Sequence, residues 1–149
     1  MHRTKQILFS FLLIISSSWS LFGRTFVITS VADTGPNTLR EAVSMLADND
    51  SIIFNVKGTI RLTSTINIDN LDNVTIIGPY PKHLTIAPNS SYDGDLLRIQ
   101  NCTNLKLSGV GFVGADGATR LLSLVNCPTN IVIEHCLFED NDLTSTSKT

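Results

Sequence analysis

The chain has 149 residues, of which 42% are apolar and 16% are charged. This balance fits one folded domain and excludes a disordered or fibrous chain. The formal charge at pH 7 is −2, and the Lys and Arg residues form no cluster. A nucleic-acid partner is therefore not expected, because phosphate binding depends on clustered basic side chains.

Residues 1–20 have the order of a secretory signal peptide. Arg3 and Lys5 precede an apolar run, which small polar residues follow. The run is shorter than the about 20 residues that cross a bilayer, so a retained anchor is the weaker interpretation. We expect cleavage after Ser20, with Gly23 as the alternative. Loss of Arg3 and Lys5 from the 11 basic residues leaves 9 against 13 acidic ones, a formal charge of −4, and no later apolar run has membrane length.

Residues 21–49 are predicted to form an N-terminal cap, a strand followed by a helix over residues 39–47. Thr38 and Glu41 have the spacing of a capping box, in which each side chain accepts a hydrogen bond from a backbone N–H at the start of the helix. One face of this helix would be apolar. That face comprises Leu39, Val43 and Leu46.

Residues 50–140 are predicted to form stacked β-coils. Short apolar segments alternate with polar residues and turns, which is the pattern of half-buried strands. Residues 96–107 are echoed by residues 121–133, with an offset of 25 residues up to the cysteine and 26 after it. Self-similarity at this period is typical of a solenoid. The predicted fold is therefore all-β, a right-handed parallel β-helix with a short N-terminal capping helix; a β-sandwich is the alternative.

Equivalent residues of successive coils would lie about 4.8 Å apart, one above the other. Asn70, Asn101 and Asn126 are then predicted to form a ladder of side-chain amides at a turn, where Asn also tolerates left-handed backbone geometry. Cys102 and Cys127 would stack in the same way. Their parallel Cβ directions favour a stack of buried thiols over a disulfide, which remains the alternative.

No catalytic residue, cofactor or metal site is predicted. Asp93 and Asp95 flank a glycine and are best explained by a turn, with an ion site as the alternative. Glu134 and His135 would point to opposite faces of a strand, so they would not converge as a base and its partner. The three cysteines lack the paired spacing of a zinc site.

Several segments carry a resemblance to a known family. They are Phe26-Val-Ile-Thr-Ser, Asp33-Thr-Gly, Thr38-Leu-Arg-Glu-Ala, Asp50-Ser-Ile-Ile-Phe, Gly58-Thr-Ile and Ile77-Gly-Pro. Through them the chain resembles the N-terminal region of bacterial secreted β-helix proteins named for a Cys-Ser-Leu-Arg-Glu-Ala motif. These proteins have a pectin-lyase-like fold and are similar to the passenger regions of polymorphic outer membrane proteins and adhesins. The resemblance implies that the helix caps the first coil, with Arg40 and Glu41 in structural roles. Asn37 and Thr38 replace the Cys and Ser of the motif, so a cysteine link at that point does not carry over.

The protein is predicted to be a secreted or surface-exposed bacterial scaffold, similar to an adhesin. It would bind a partner or display a surface and would catalyse no reaction. Its expected partner is a host or cell-surface protein or glycan. The alternatives are the N-terminal part of a polysaccharide lyase or glycosidase whose catalytic coils lie elsewhere, and an inert truncated product. Residues 141–149 are predicted to be a polar tail and a candidate truncation point, so the last coil should self-associate or expose apolar surface.

Overall fold

The computed structural model describes residues 22–115 and 120–141. The predicted signal peptide, 1–20, and residues 142–149 of the predicted tail lie outside the described residues. In the described part, the chain forms twelve strands and one short helix. They are β1 (Thr25–Ile28), α1 (Leu39–Ser44), β2 (Ser51–Phe54), β3 (Gly58–Leu62), β4 (Ile66–Asp69), β5 (Thr75–Ile77), β6 (Leu84–Pro88), β7 (Leu97–Gln100), β8 (Lys106–Ser108), β9 (Gly111–Ala115), β10 (Leu122–Val125), β11 (Val132–Glu134) and β12 (Leu137–Asn141).

All strand pairs are parallel, and the strands make three sheets that run along the molecule. Sheet I has the order β1-β2-β5-β8-β11, sheet II β3-β6-β9-β12 and sheet III β4-β7-β10. Each coil therefore contributes one strand to each sheet in turn, and the coils stack into a solenoid of about four turns. The predicted all-β solenoid with a short helix is confirmed.

The core fills the space between the three sheets. Alternate residues of each strand point inward, because successive side chains of a strand lie on opposite faces. Ile52 stacks on Ile76 and Leu107 in sheet I, and Ile60 stacks on Ile86 in sheet II. All five side chains are buried. Each such residue contributes about 1.5–3 kcal/mol of burial free energy.

The 25- to 26-residue repeat predicted from the sequence matches the register in which the strands of adjacent coils pair. Leu97 pairs with Leu122, an offset of 25, and Lys106 pairs with Val132, an offset of 26. The offset between Ile66 and Leu97 is larger, at 31. The extra residues lie in the connection 89–96 between β6 and β7, because the strands on either side of it keep their register.

Helix α1 covers the first coil. Leu39 and Ala42 are buried, and Val43 and Leu46 pack partly buried against the core. The helix contacts β4, the first strand of sheet III, and β1. It therefore occupies the place that a strand of the first coil would otherwise take, and it shields apolar side chains that an open solenoid end would expose.

The helix is shorter than predicted, since it ends at Ser44 rather than Ala47. The Asp50 carboxylate accepts a hydrogen bond from the Ala47 N–H at 2.9 Å, which directs the chain away from the helix axis. The predicted capping box is present: Thr38 Oγ1 accepts from the Glu41 N–H at 3.3 Å. Glu41 Oε2 accepts from the Asn37 N–H at 2.6 Å, one residue before the position usual for this motif.

Arg40 and Asp33 fasten the cap to the next coil. The Arg40 guanidinium donates to Asp33 Oδ1 at 2.6 and 2.9 Å, and to the carbonyls of Ser64 and Thr65. Asp33 Oδ2 accepts from the Thr63 hydroxyl at 2.6 Å and from its N–H at 3.0 Å. Burial raises the pKa of Asp33, but the hydrogen bonds from Thr63 and Arg40 outweigh it and hold the pKa below 3.8.

A second buried carboxylate, Asp50, joins the end of the cap to the start of β1. It accepts from the Arg24 N–H at 2.6 Å and from the Arg24 guanidinium at 2.8 Å. Its side chain is 3% exposed, whereas that of Arg24 is 57% exposed. Burial raises the pKa of Asp50, yet the bonds from Arg24 and Ala47 bring the net pKa below 3.8.

We expect Asp33 and Asp50 to make the cap sensitive to acid. A carboxyl whose pKa is lower in the folded than in the unfolded state stabilises the fold above its unfolded pKa, and this contribution is lost as pH falls through the folded pKa. The free energy of unfolding in urea should therefore fall below about pH 4. The variants Asp33→Asn and Asp50→Asn should each lose about 1–3 kcal/mol at pH 7 and show a shallower acid decline.

The control for this experiment is Asp93→Asn, which neutralises an exposed carboxylate of the connection 89–96. It should keep the wild-type stability at pH 7 and the wild-type acid decline. An unchanged acid decline in both cap variants would contradict the role given to the two carboxylates.

Candidate functional site

The turn between sheets III and I holds the predicted asparagine positions. Asn70, Asn101 and Asn126 follow β4, β7 and β10, and the strand registers align all three. Their φ angles are 56°, 53° and 51°. Each is therefore in the left-handed region, where Asn is tolerated better than most residues. The backbone N–H groups of Asn70 and Asn101 donate to the Gln100 and Val125 carbonyls of the next coil.

The side chains do not form the continuous amide ladder that was predicted. Asn126 Nδ2 donates to Asn101 Oδ1 at 3.5 Å, as a ladder requires. Asn101 Nδ2, however, donates to Asp69 Oδ1 at 2.8 Å rather than to Asn70. A carboxylate is the stronger acceptor, and Asp69 ends the strand beside Asn101, so the ladder stops there.

A second asparagine ladder, absent from the prediction, closes the other end of the same turn. Asn49, Asn73, Asn104 and Asn130 align one above the other, and their φ angles lie between 51° and 67°. Asn73 donates to Asn49 and Asn130 donates to Asn104, both at 2.8 Å. Asn104 donates to Asp72 Oδ1 at 2.8 Å. The sequence signal was an Asn two residues before each strand of sheet I except β1, where Gly23 stands.

Two exposed carboxylates accept the hydrogen bonds of these ladders. Hydrogen bonds from Asn101 and Gln100 lower the pKa of Asp69, and hydrogen bonds from Thr103 and Asn104 lower the pKa of Asp72. The carboxylate oxygens of Asp69 and Asp72 therefore already accept hydrogen bonds from side chains of the turn. Within the described part of the chain, no group of three or more His, Cys, Asp or Glu side chains is placed to hold a metal ion.

The predicted cysteine stack lies just inside this turn. Cys102 and Cys127 occupy equivalent positions of adjacent coils and are both free thiols, as is Cys136. Cys102 Sγ donates to the Gln100 carbonyl at 3.1 Å, and Cys127 Sγ donates to the Val125 carbonyl at 3.4 Å. Burial raises the pKa of the Cys102 thiol and that of the Cys136 thiol. Such thiols are weak nucleophiles and serve packing.

An open groove lies elsewhere on the described surface, beside the connection 89–96. It has a volume of about 360 Å³ and is open to solvent. The residues lining it are Arg61, Pro88, Asn89, Ser90, Ser91, Tyr92, Asp93 and Gly114. The groove thus combines a guanidinium, an amide, two hydroxyls, a carboxylate and an aromatic ring between β3, β9 and the inserted connection.

Arg61 supplies the positive charge of this groove. It lies on the outer face of β3 and is exposed. Its one hydrogen bond to a described residue runs from Nη1 to the Pro88 carbonyl, at 3.4 Å. A guanidinium carries five N–H donors, so most of the donors of Arg61 are open to a ligand.

Tyr92 and Asp95 hold the inserted connection in shape. The Tyr92 hydroxyl donates to the Asp95 carbonyl at 2.8 Å and lies 2.6 Å from Thr65 Oγ1. A Cβ at Gly94 would overlap the Tyr92 phenol, so a larger residue there would displace the ring from this position. The Asp95 carboxylate is buried and paired with Arg120 Nε at 2.7 Å. Asp93 and Asp95 were considered above as an ion site; of the two, only Asp93 lines the groove.

Glu134 and His135 are neighbours on the surface near the last described coil. Glu134 pairs with Lys106 at 2.7 Å on the outer face of sheet I. His135 is not the strand residue that was predicted; it follows β11 with a φ of 51°. The expectation that Glu134 and His135 point apart is therefore wrong: the left-handed backbone of His135 brings its Nδ1 to 3.8 Å from Glu134 Oε1, and the imidazole is largely exposed.

Comparison with protein-family models, curated proteins and solved structures found no match to this chain. Within residues 22–115 and 120–141, no helix has the length and apolar character needed to cross a membrane.

We expect Asn104 to stabilise the fold through both its backbone geometry and its side chain. Asn104→Ala should lose about 2 kcal/mol of unfolding free energy, since a left-handed Ala costs about 1–2 kcal/mol and two hydrogen bonds are removed. Asn104→Gly, which accepts the backbone angle freely, should lose about half as much. Chemical denaturation measures both. Asn67→Ala, on the exposed face of β4, is the control and should stay within about 0.5 kcal/mol of wild type.

Proposed function

We propose that the chain is an exported, surface-exposed β-solenoid that binds a glycan in the groove beside the connection 89–96. The observation that carries this proposal is the position of the insertion. Solenoid coils tolerate extra residues only in their turns, and such insertions commonly build the binding face. Here the longest of the strand connections that follow β2 in the described part forms one wall of an open groove.

The chemistry of the groove supports a hydroxyl-rich ligand. Arg61 offers N–H donors, Asn89 offers both donor and acceptor atoms, and Ser90 and Ser91 offer hydroxyls. Asp93 adds an acceptor for ligand hydroxyls. A few convergent polar groups of this kind fix the orientation of a bound ligand. An open groove also admits an internal stretch of a long chain, which an enclosed pocket would not.

The same groove argues for binding rather than catalysis. Glycosidases need two carboxyl groups about 5–10 Å apart across the scissile bond. Asp93 is the one carboxylate among the lining residues, and the nearby Asp95 is engaged with Arg120. Export is supported by the signal-like order of residues 1–20.

The proposal is tested by binding the purified protein to a panel of immobilised neutral and acidic oligosaccharides. At least one glycan class should bind, and Arg61→Ala should weaken that binding at least about tenfold, the effect of losing about 1.4 kcal/mol. The wild-type circular dichroism spectrum should be retained, because Arg61 is exposed.

The matched control is Lys57→Ala, which removes one exposed positive charge outside the groove. It should bind as wild type does. Equal losses in both variants would indicate a non-specific charge effect and would overturn the groove assignment. If the protein binds cell-surface proteins and no glycan, the proposed glycan ligand is wrong and the partner is a protein.

A further inference from the structure

The turn formed by residues 79–83 joins sheet I to sheet II and carries an exposed aromatic side chain. Tyr80 is 55% exposed. Its ring lies beside that of His83, with centroids 5.5 Å apart and planes 57° apart. A tyrosine of this kind is suited to binding, because it offers a large contact area and loses little conformational entropy when a ligand covers it.

The backbone holds this turn in one position. The N–H groups of His83 and Leu84 both donate to the Tyr80 carbonyl, at 2.9 and 3.1 Å, and the ring of Pro81 fixes the next φ angle. The Pro81 carbonyl approaches the start of β9, where a Cβ at Gly111 would lie 2.3 Å from its oxygen. Glycine at this position therefore allows the turn to pack against the outer face of sheet II.

The outer face of sheet II connects this turn with the groove described above. Thr59, Arg61 and Thr85 lie on this face, because successive side chains of a strand alternate between its two faces. The residues between them, Ile60 and Ile86, point into the core. Thr59 Oγ1 lies 2.9 Å from Thr85 Oγ1, and Arg61 lines the groove.

Tyr80, Thr85, Thr59 and Arg61 thus form a polar strip between the turn and the groove. Strand β6 runs from one to the other, so the strip is about 17 Å long at about 3.3 Å for each residue. This is longer than a disaccharide. Hydroxyl and guanidinium groups can bond to the substituents of sugar rings, and an aromatic ring can stack on the C–H face of a pyranose.

We propose that the groove is one end of a longer site, and that its ligand is a linear polysaccharide that follows the polar strip and stacks a sugar ring on Tyr80. This inference rests on the glycan binding proposed above, to which it adds the length of the ligand and a second anchor. Once Arg61 holds one part of the chain, contact with Tyr80 becomes intramolecular. Affinity should therefore rise with ligand length until the strip is filled.

The test is the affinity of the wild-type protein for oligosaccharides of one glycan class, from the disaccharide to the hexasaccharide, by titration calorimetry. Affinity should rise at least about tenfold along this series and then level off. This measurement needs no variant. Equal affinity for all lengths would overturn the longer site and leave glycan binding in the groove intact, whereas a protein that binds no glycan would overturn both proposals.

Variants then locate the second anchor. Tyr80→Ala should weaken binding of the hexasaccharide about tenfold and leave that of the disaccharide unchanged, whereas Arg61→Ala should weaken both. Tyr80→Phe keeps the ring and should bind as wild type does. The matched control is Met45→Ala, which removes a side chain that is 46% exposed on the N-terminal cap and should have no effect. Wild-type affinity for the hexasaccharide in Tyr80→Ala, or an equal loss in the control, would contradict the role of Tyr80.

Discussion

Parallel stacking of the coils in strict register is the constraint on which the rest of this structure depends. Strands pair about 4.8 Å apart, so each residue lies directly over its equivalent in the neighbouring coil. An inward position must then be apolar in every coil, as Ile52, Ile76 and Leu107 are. The chain must also turn the same corner at the same place each time, which restricts the residues that can stand there.

The corner between sheets III and I shows how the chain meets this restriction. Both ends of the turn need a left-handed backbone, and both are asparagine in successive coils. Glycine would accept the backbone angle, but it has no side chain to bond to the coil above. Asparagine offers a donor and an acceptor at once, so Asn104 can donate to Asp72 and accept from Asn130. At the corner between sheets I and II, Gly109 and His135 take the left-handed backbone in the last two described coils.

The described part of the solenoid presents three surfaces of different character. One end is closed by α1 and is fastened by Asp33, Arg40 and Asp50. The side carries the groove, where the one enlarged connection meets the outer face of sheet II. The other end presents apolar side chains and free strand edges.

The sequence by itself determined the features that depend on neighbouring residues. Alternation predicted the strands, the 25- to 26-residue repeat predicted the stacking, and the spacing of Thr38 and Glu41 predicted the start of the helix. The aligned position of Cys102 and Cys127 also followed from the repeat. Each of these signals lies within a short segment of the chain or is the repetition of such a segment. It can therefore be recognised without knowing which residues of adjacent coils are in contact.

Only the tertiary structure decided which partner each polar side chain takes. Asn101 bonds to Asp69 rather than Asn70, Asp50 ends the helix early by binding the Ala47 N–H, and Asp95 is paired with Arg120. The second asparagine ladder was visible in the sequence, but the 31-residue offset across the insertion disguised its period. The physical reason is common to these cases: neighbours in a solenoid are a whole coil apart in the chain. A polar side chain chooses among acceptors that become its neighbours only when the coils stack.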